Sequence, residues 1–141
     1  MKFEVLIVDD DPIVILLHEK MVTASGSHSN PICFSSGILA LDYILTNKDP
    51  DKKYFILLDI NMPEMSGWDF LDEIIDYPVS SQVVVAVVTS STNESDKRRA
   101  FNYKPVTEYI AKPLNVSILH QLSRKRELSA FFIHAEDPAG Y

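Results

Sequence analysis

Five short apolar runs punctuate the chain, and between four of them the apolar positions recur every three or four residues. Residues 3–8 form the first run. Residues 55–58, Phe-Ile-Leu-Leu, are apolar on both faces, as a central parallel strand must be when helices cover it on each side. The Val-rich run within 82–88 has the same character. Residues 31–34 are few and begin on Pro31, which suits an edge strand, and residues 106–111 alternate apolar and polar, as an edge strand should. A helix is expected from Asp11, an N-cap followed by Pro12 at the first helical position, to about Thr23. Ile13, Leu16, Leu17 and Met21 would form its core face, and Ser25-Gly26-Ser27 breaks it. Ser35 or Ser36 opens a second helix with Ile38, Leu41, Ile44 and Leu45 as its apolar set. The polar string over 46–53 then reads as the longest solvated loop. A third helix is predicted over 68–77 with Leu71, Ile74 and Ile75 inward and Pro78 as its stop. A more polar one spans 94–103, and Leu114, Ile118 and Leu122 begin the last. Strand and helix alternating five times imply a doubly wound parallel sheet with right-handed crossovers and helices on both faces.

A length of 141 residues bounds this to one domain with a core of its own. No apolar run approaches the roughly 20 residues of a membrane span, and MKFEVLIVDDD reads as a first strand rather than a signal peptide, so a cytoplasmic protein with no membrane partner is expected. A single cysteine, Cys33, excludes an internal disulfide and suits a small buried hydrophobe. The net charge of −7 argues against nucleic acid as a direct partner, because backbone binding needs clustered Lys and Arg. The basic turn Lys97-Arg98-Arg99 is a solvated face or part of a partner surface. Residues 124–126 and the tail 131–141 fall outside the core pattern, the tail as an overhang or an interface.

In open α/β sheets the ligand crevice lies outside the carboxyl ends of the strands. The residues that close the strands are Asp9-Asp10-Asp11, Asp59, Thr89 and Lys112. Each alone has a plainer role: Asp11 as a cap, Thr89 as a turn hydroxyl, Lys112 as a surface lysine. Together they make a site. Carboxylates brought this close repel, and one would keep its proton unless a hard cation lay between them. Mg²⁺ suits that space, since it takes oxygen ligands, retains waters and is commonly completed by phosphate oxygens. Thr89 and Lys112 would hold an anion, and an Asp nucleophile would give an aspartyl phosphate.

In carrying these motifs, the chain resembles a response-regulator receiver domain of two-component phosphorelay signalling, of the stand-alone type, over residues 1–123. The resemblance implies a flavodoxin-like five-stranded sheet of order 2-1-3-4-5, leaving 124–141 as the end of the last helix and a tail. It also implies Asp59 as phosphoacceptor and Mg²⁺ held by Asp9, Asp10, Asp59 and the backbone carbonyl of Asn61. Thr89 matches the switch hydroxyl, Lys112 the phosphate-contacting lysine, Tyr109 the switch aromatic, and Pro113 and Gly67 turn-forming positions, with Pro113 often cis. The expected donor is a histidine kinase or phosphotransfer protein, and the only chemistry catalysed is the domain's own phosphorylation and dephosphorylation. Where many receivers carry a Gly-rich turn before the last strand, this chain has Tyr103-Lys104-Pro105-Val106-Thr107-Glu108, a departure at the output face. A rival is a haloacid-dehalogenase-like phosphatase using Asp9, which leaves Asp59 idle and lacks an acidic pair after Lys112. A third possibility is a phosphorylation-independent docking module. The output surface is expected around Tyr109, Lys97 to Arg99, Leu119, Arg124 and Arg126, docking a second copy or a separate downstream protein. Phe131-Phe132-Ile133 need shelter from water, either on the domain's own flank or, as the expectation here, in a homodimer.

Overall fold

The computed structural model describes residues 1–133. Its strands are β1 (Lys2–Val8), β2 (Ile32–Phe34), β3 (Lys52–Leu58), β4 (Val83–Thr89) and β5 (Val106–Ala111), and its helices α1 (Pro12–Ala24), α2 (Gly37–Thr46), α3 (Gly67–Ile74), α4 (Glu94–Phe101) and α5 (Val116–Leu122). The strands form one parallel sheet in the order β2-β1-β3-β4-β5, the predicted doubly wound arrangement. Helices cover both faces. On one, Ala40, Ile44, Phe70, Leu71, Ile74 and Ala100 of α2, α3 and α4 pack on the sheet. On the other, Val22 of α1 and Leu119 and Leu122 of α5 do so. Among the described residues, no helix is long and apolar enough to cross a membrane.

Several expectations about facing are corrected. The core face of α1 is not Ile13, Leu16 and Leu17, which are 67%, 50% and 48% exposed; His18 and Val22 are buried instead, with Ile15 and Met21 half-buried beside them. The first two turns, PIVILL, are apolar all round, so periodicity there defines no unique phase. Asp11 does cap the helix, its Oδ1 accepting from the Ile13 N–H at 2.9 Å. In α2, Ile38 faces solvent while Ala40 and Ile44 are buried; Phe70 joins Leu71 and Ile74 on the inner face of α3, and Ile75, just past its end, is exposed. Leu119, expected on an exposed output surface, is fully buried.

Boundaries differ for local reasons. β3 begins at Lys52, inside the stretch read as loop, because Lys52 and Lys53 register with Lys2 and Phe3 of β1, and the Lys52 ammonium lies 3.3 Å from the Glu4 carboxylate. α3 starts one residue early through a capping box: Ser66 Oγ accepts from the Asp69 N–H, and the Asp69 carboxylate accepts from the Ser66 N–H. It gives way before Pro78 to a 3-10 turn, Pro78–Gln82. Within the basic turn Arg99 has a definite place. Its guanidinium sits 4.3 Å over the Trp68 ring, which stacks on Tyr103, whose hydroxyl donates to Asp72 at 2.6 Å. Cys33 is half-buried, and burial raises its thiol to about 11.

The chain beyond α5 is part of the body rather than off it. Leu128, Phe131 and Phe132 are buried in the same core as α1 and α5. The Phe131 ring meets Phe3 and Phe55 at 5.1 and 5.8 Å between centroids, and Phe132 meets Phe55 at 6.3 Å. The Ile133 N–H donates to the Gly26 carbonyl and the His28 N–H to that of Phe131. The domain's own flank therefore shelters two of the three apolar residues, and only Ile133 is exposed. The rest of the tail, 134–141, lies outside the described residues.

Candidate functional site

Backbone hydrogen bonds continue the sheet one residue past the strand ends and fix where each side chain starts. The Asp9 N–H donates to the Phe34 carbonyl, the Asp59 N–H to that of Val8 and the Lys112 N–H to that of Thr89, at 2.8–3.1 Å. Asp9, Asp59 and Thr89 are consequently buried polar residues, 2%, 5% and 0% exposed, at one edge of the sheet. Asp10 is exposed beside them. Carboxylate oxygens of Asp9, Asp10 and Asp59 all lie within 4.8 Å of one another. The Lys112 ammonium reaches between two of them, 2.9 Å from Asp9 Oδ2 and 3.6 Å from Asp59 Oδ1. Asp9 Oδ1 accepts from the Asp11 N–H at 2.9 Å, so both oxygens of Asp9 are engaged.

Charge is out of balance here. Three carboxylates face one ammonium, which leaves roughly two negative charges in a partly desolvated space. Burial, and next the Asp9 charge, push the Asp59 carboxyl up to about 6, against the pull of Lys112 and of the Asn61 N–H. Burial alone would lower Lys112; its hydrogen bond to Asp9 and the charge of Asp59 outweigh that and hold it above its ordinary value. A divalent cation would remove the imbalance, and the donor set is all carboxylate oxygen with one partly exposed member, which fits a hard ion that keeps waters. Asp9, Asp10 and Asp59 are the side chains that would hold Mg²⁺.

The loop after β3 is shaped around the same acid. The Asn61 N–H donates to Asp59 Oδ1 at 3.3 Å, folding the chain back on the carboxylate. Gly67 has a steric reason beyond turn formation: a Cβ there would stand 2.6 Å from the Asp59 carbonyl oxygen and 2.8 Å from Ile60 Cα. The Lys112–Pro113 peptide is cis. Thr89 and Tyr109 are joined through Ser91, which donates its N–H to Thr89 Oγ1 and accepts from the Tyr109 hydroxyl on its carbonyl, both at 3.2 Å. Tyr109 is thereby held half-buried. Ser91 also donates its hydroxyl to Asp96 of α4 at 2.8 Å. A hydroxyl residue two after Thr89 and five before an acid in the next helix's first turn is a signal that the sequence did carry. His18, buried on α1 and sensing the charges of Asp9 and Lys112, was hidden by the wrong helical phase.

The comparisons agree with this geometry. The family described as the response regulator receiver domain matches residues 5–124. A polar-differentiation response regulator, DivK of Brucella ovis, is 31% identical over 112 residues, 79% of this chain and 85% of that protein. A probable cyclic di-GMP phosphodiesterase of Vibrio cholerae is 32% identical over 115 residues, which cover 82% of this chain but only 24% of the relative. The crystal structure of a two-component response regulator from Legionella pneumophila superposes with a TM-score of 0.72 at 31% identity, over 86% of this chain and 95% of that one. With its match across 120 consecutive residues, 5 to 124, the chain belongs to the response-regulator receiver-domain family of two-component signalling.

Proposed function

We propose that the domain takes a phosphoryl group onto Asp59 from a phosphohistidine of a histidine kinase or phosphotransfer protein. The observation that carries this is a buried carboxylate at the end of the central strand, with an ammonium 3.6 Å away and two further acids converging on it. An Asp59 oxygen attacks phosphorus in line, the P–N bond breaks, and its electron pair stays on the imidazole nitrogen, which takes up a proton. The carboxylate must be ionised to attack; held at about 6, it is so at neutral pH. Lys112 is placed to follow the phosphoryl group from donor to acceptor, and the work is positioning and electrostatics. Bound Mg²⁺ would supply charge neutralisation on the phosphoryl oxygens.

Phosphorylation would then draw Thr89 Oγ1 toward the new anion. That movement takes Thr89 from the Ser91 N–H, and Ser91 holds Tyr109, so the switch has a hydrogen-bonded path from site to surface. The exposed apolar Ile13, Leu16 and Leu17 begin four residues after Asp9 and supply a surface on which a helical donor can dock. Because Phe131 and Phe132 pack on their own domain, the homodimer loses its main support, and a separate downstream protein is the favoured reader. The same reading puts the protein in the cytoplasm, with the ATP that charges a kinase.

A phosphatase acting through Asp9 is disfavoured because it would leave the buried Asp59 carboxylate, at the end of the central strand, without a role. A phosphorylation-independent docking module would have no use for three clustered acids, which repel one another. Incubation with acetyl phosphate and Mg²⁺, followed by intact mass, separates the three. A rise of one phosphoryl group that Asp59→Asn abolishes is expected. Loss with Asp9→Asn and retention with Asp59→Asn would favour the phosphatase, and no rise in the wild type would favour the docking module.

A further inference from the structure

We propose that a hollow at the opposite end of the sheet, about 20 Å from Asp59 along β3, binds a small organic anion with a flat apolar body, an aromatic carboxylate. The hollow has a volume of about 530 Å³ and is lined by Ile44, Leu45, Pro50, Tyr77, Pro78 and Val79. That size is within the range of sites that enclose a small molecule, and aliphatic, proline and tyrosine faces suit a planar ring.

Its walls are held apart rather than left to collapse. The Gln82 side-chain amide ties the two bordering loops together, donating to the Asp49 carbonyl at 2.8 Å and the Lys52 carbonyl at 2.6 Å. Asn47 Nδ2 donates to the Tyr43 carbonyl at 2.7 Å, and Asp49 Oδ1 accepts from the Asp51 N–H at 3.0 Å, fixing the turn between α2 and β3. A cavity formed in advance spares a ligand the cost of ordering it.

The charge at the rim selects the ligand's sign. Asp49 Oδ2 is engaged by Lys2 at 2.9 Å, which offsets its charge. Lys48, also at the rim, forms no ion pair among the described residues. Lys48, a cation without an ion-pair partner lining an apolar hollow, favours an anionic head on an apolar body, acting locally against the chain's net charge of −7.

The test is an amide NMR titration of the full chain with 2-naphthoate, using 2-naphthamide as the neutral probe of the same shape. Saturable shifts clustered at residues 44–50 and 77–82 are expected, with naphthoate bound about threefold more tightly than the amide, the scale of one exposed ion pair. Lys48→Glu, an exposed change that spares the fold, should abolish that preference, and Val79→Phe should weaken both probes by filling the hollow. The proposal is overturned by shifts that scatter or never saturate, by equal binding of the two probes, or by a preference that survives Lys48→Glu. Shifts at the same residues on raising protein concentration alone would assign the hollow to a second copy and overturn it as well.

Discussion

At the residue scale, Asp59 shows how a site is maintained against stability. Its carboxyl sits at about 6 in the folded protein against an ordinary 3.8, so the folded state binds the proton more tightly than the unfolded chain does. The stabilisation this gives is full below about pH 4 and is lost as pH rises through about 6. At pH 7.5 the ionised group costs on the order of 3 kcal/mol. Asp59→Asn in the presence of a chelator should therefore melt several degrees above wild type at pH 7.5 and level with it near pH 4. A scan showing no gain at pH 7.5 would sink this account. Mg²⁺ should narrow the gap by raising the wild type alone. Gly67 sets the neighbouring constraint, because the Cβ of Gly67→Ala would collide with backbone at 2.6 Å. That substitution should lower stability by about 2 kcal/mol and slow phosphorylation by acetyl phosphate, since the atom displaced is Asp59's own carbonyl. An unchanged phosphorylation rate would show that the loop yields elsewhere.

At the scale of elements, α1 carries the lesson in phase. Its N-cap and length follow from Asp11-Pro12 and Ser25-Gly26, but the inward face is His18 and Val22. Val22→Ala should cost on the order of 2 kcal/mol, as deletion from a filled core does, whereas Leu17→Lys should change stability by less than about 0.5 kcal/mol. Urea midpoints of the two variants decide it; a larger loss for Leu17→Lys would reverse the assignment. α4 illustrates a polar helix held from outside the core. Ala100 is its buried residue, and the Arg99–Trp68–Tyr103–Asp72 stack attaches it to α3.

For the whole molecule, the limit of the domain lies further along than the last helix suggests. Phe131 and Phe132 close the core over Phe3 and Phe55, so a chain ended after Ser123 should lose several kcal/mol, on the order of 4 for a buried phenylalanine alone, and expose the apolar floor they cover. Light scattering of the intact chain should report a monomer; a dimer dissociated by Ile133→Ser would show instead that the exposed end of this segment is an interface. The strand runs and their closing residues Asp9, Asp59, Thr89 and Lys112 were legible in sequence, because a doubly wound sheet brings successive carboxyl ends to one edge whatever the details of packing. The sheet order itself came through the family resemblance and is the one observed. What the sequence by itself determined was thus the alternation of strands and helices, the Asp11 cap of α1, and the set of groups that meet. Element ends such as those of α3, and the start of α5 at Val116 rather than Leu114, came from the structure. Only the tertiary structure decided which side of an all-apolar helix turns inward, that Ser91 links Thr89 to Tyr109, and that the tail folds back onto β1 and β3. Those outcomes depend on contacts between residues far apart in the chain, and no local pattern of apolar and polar positions encodes them.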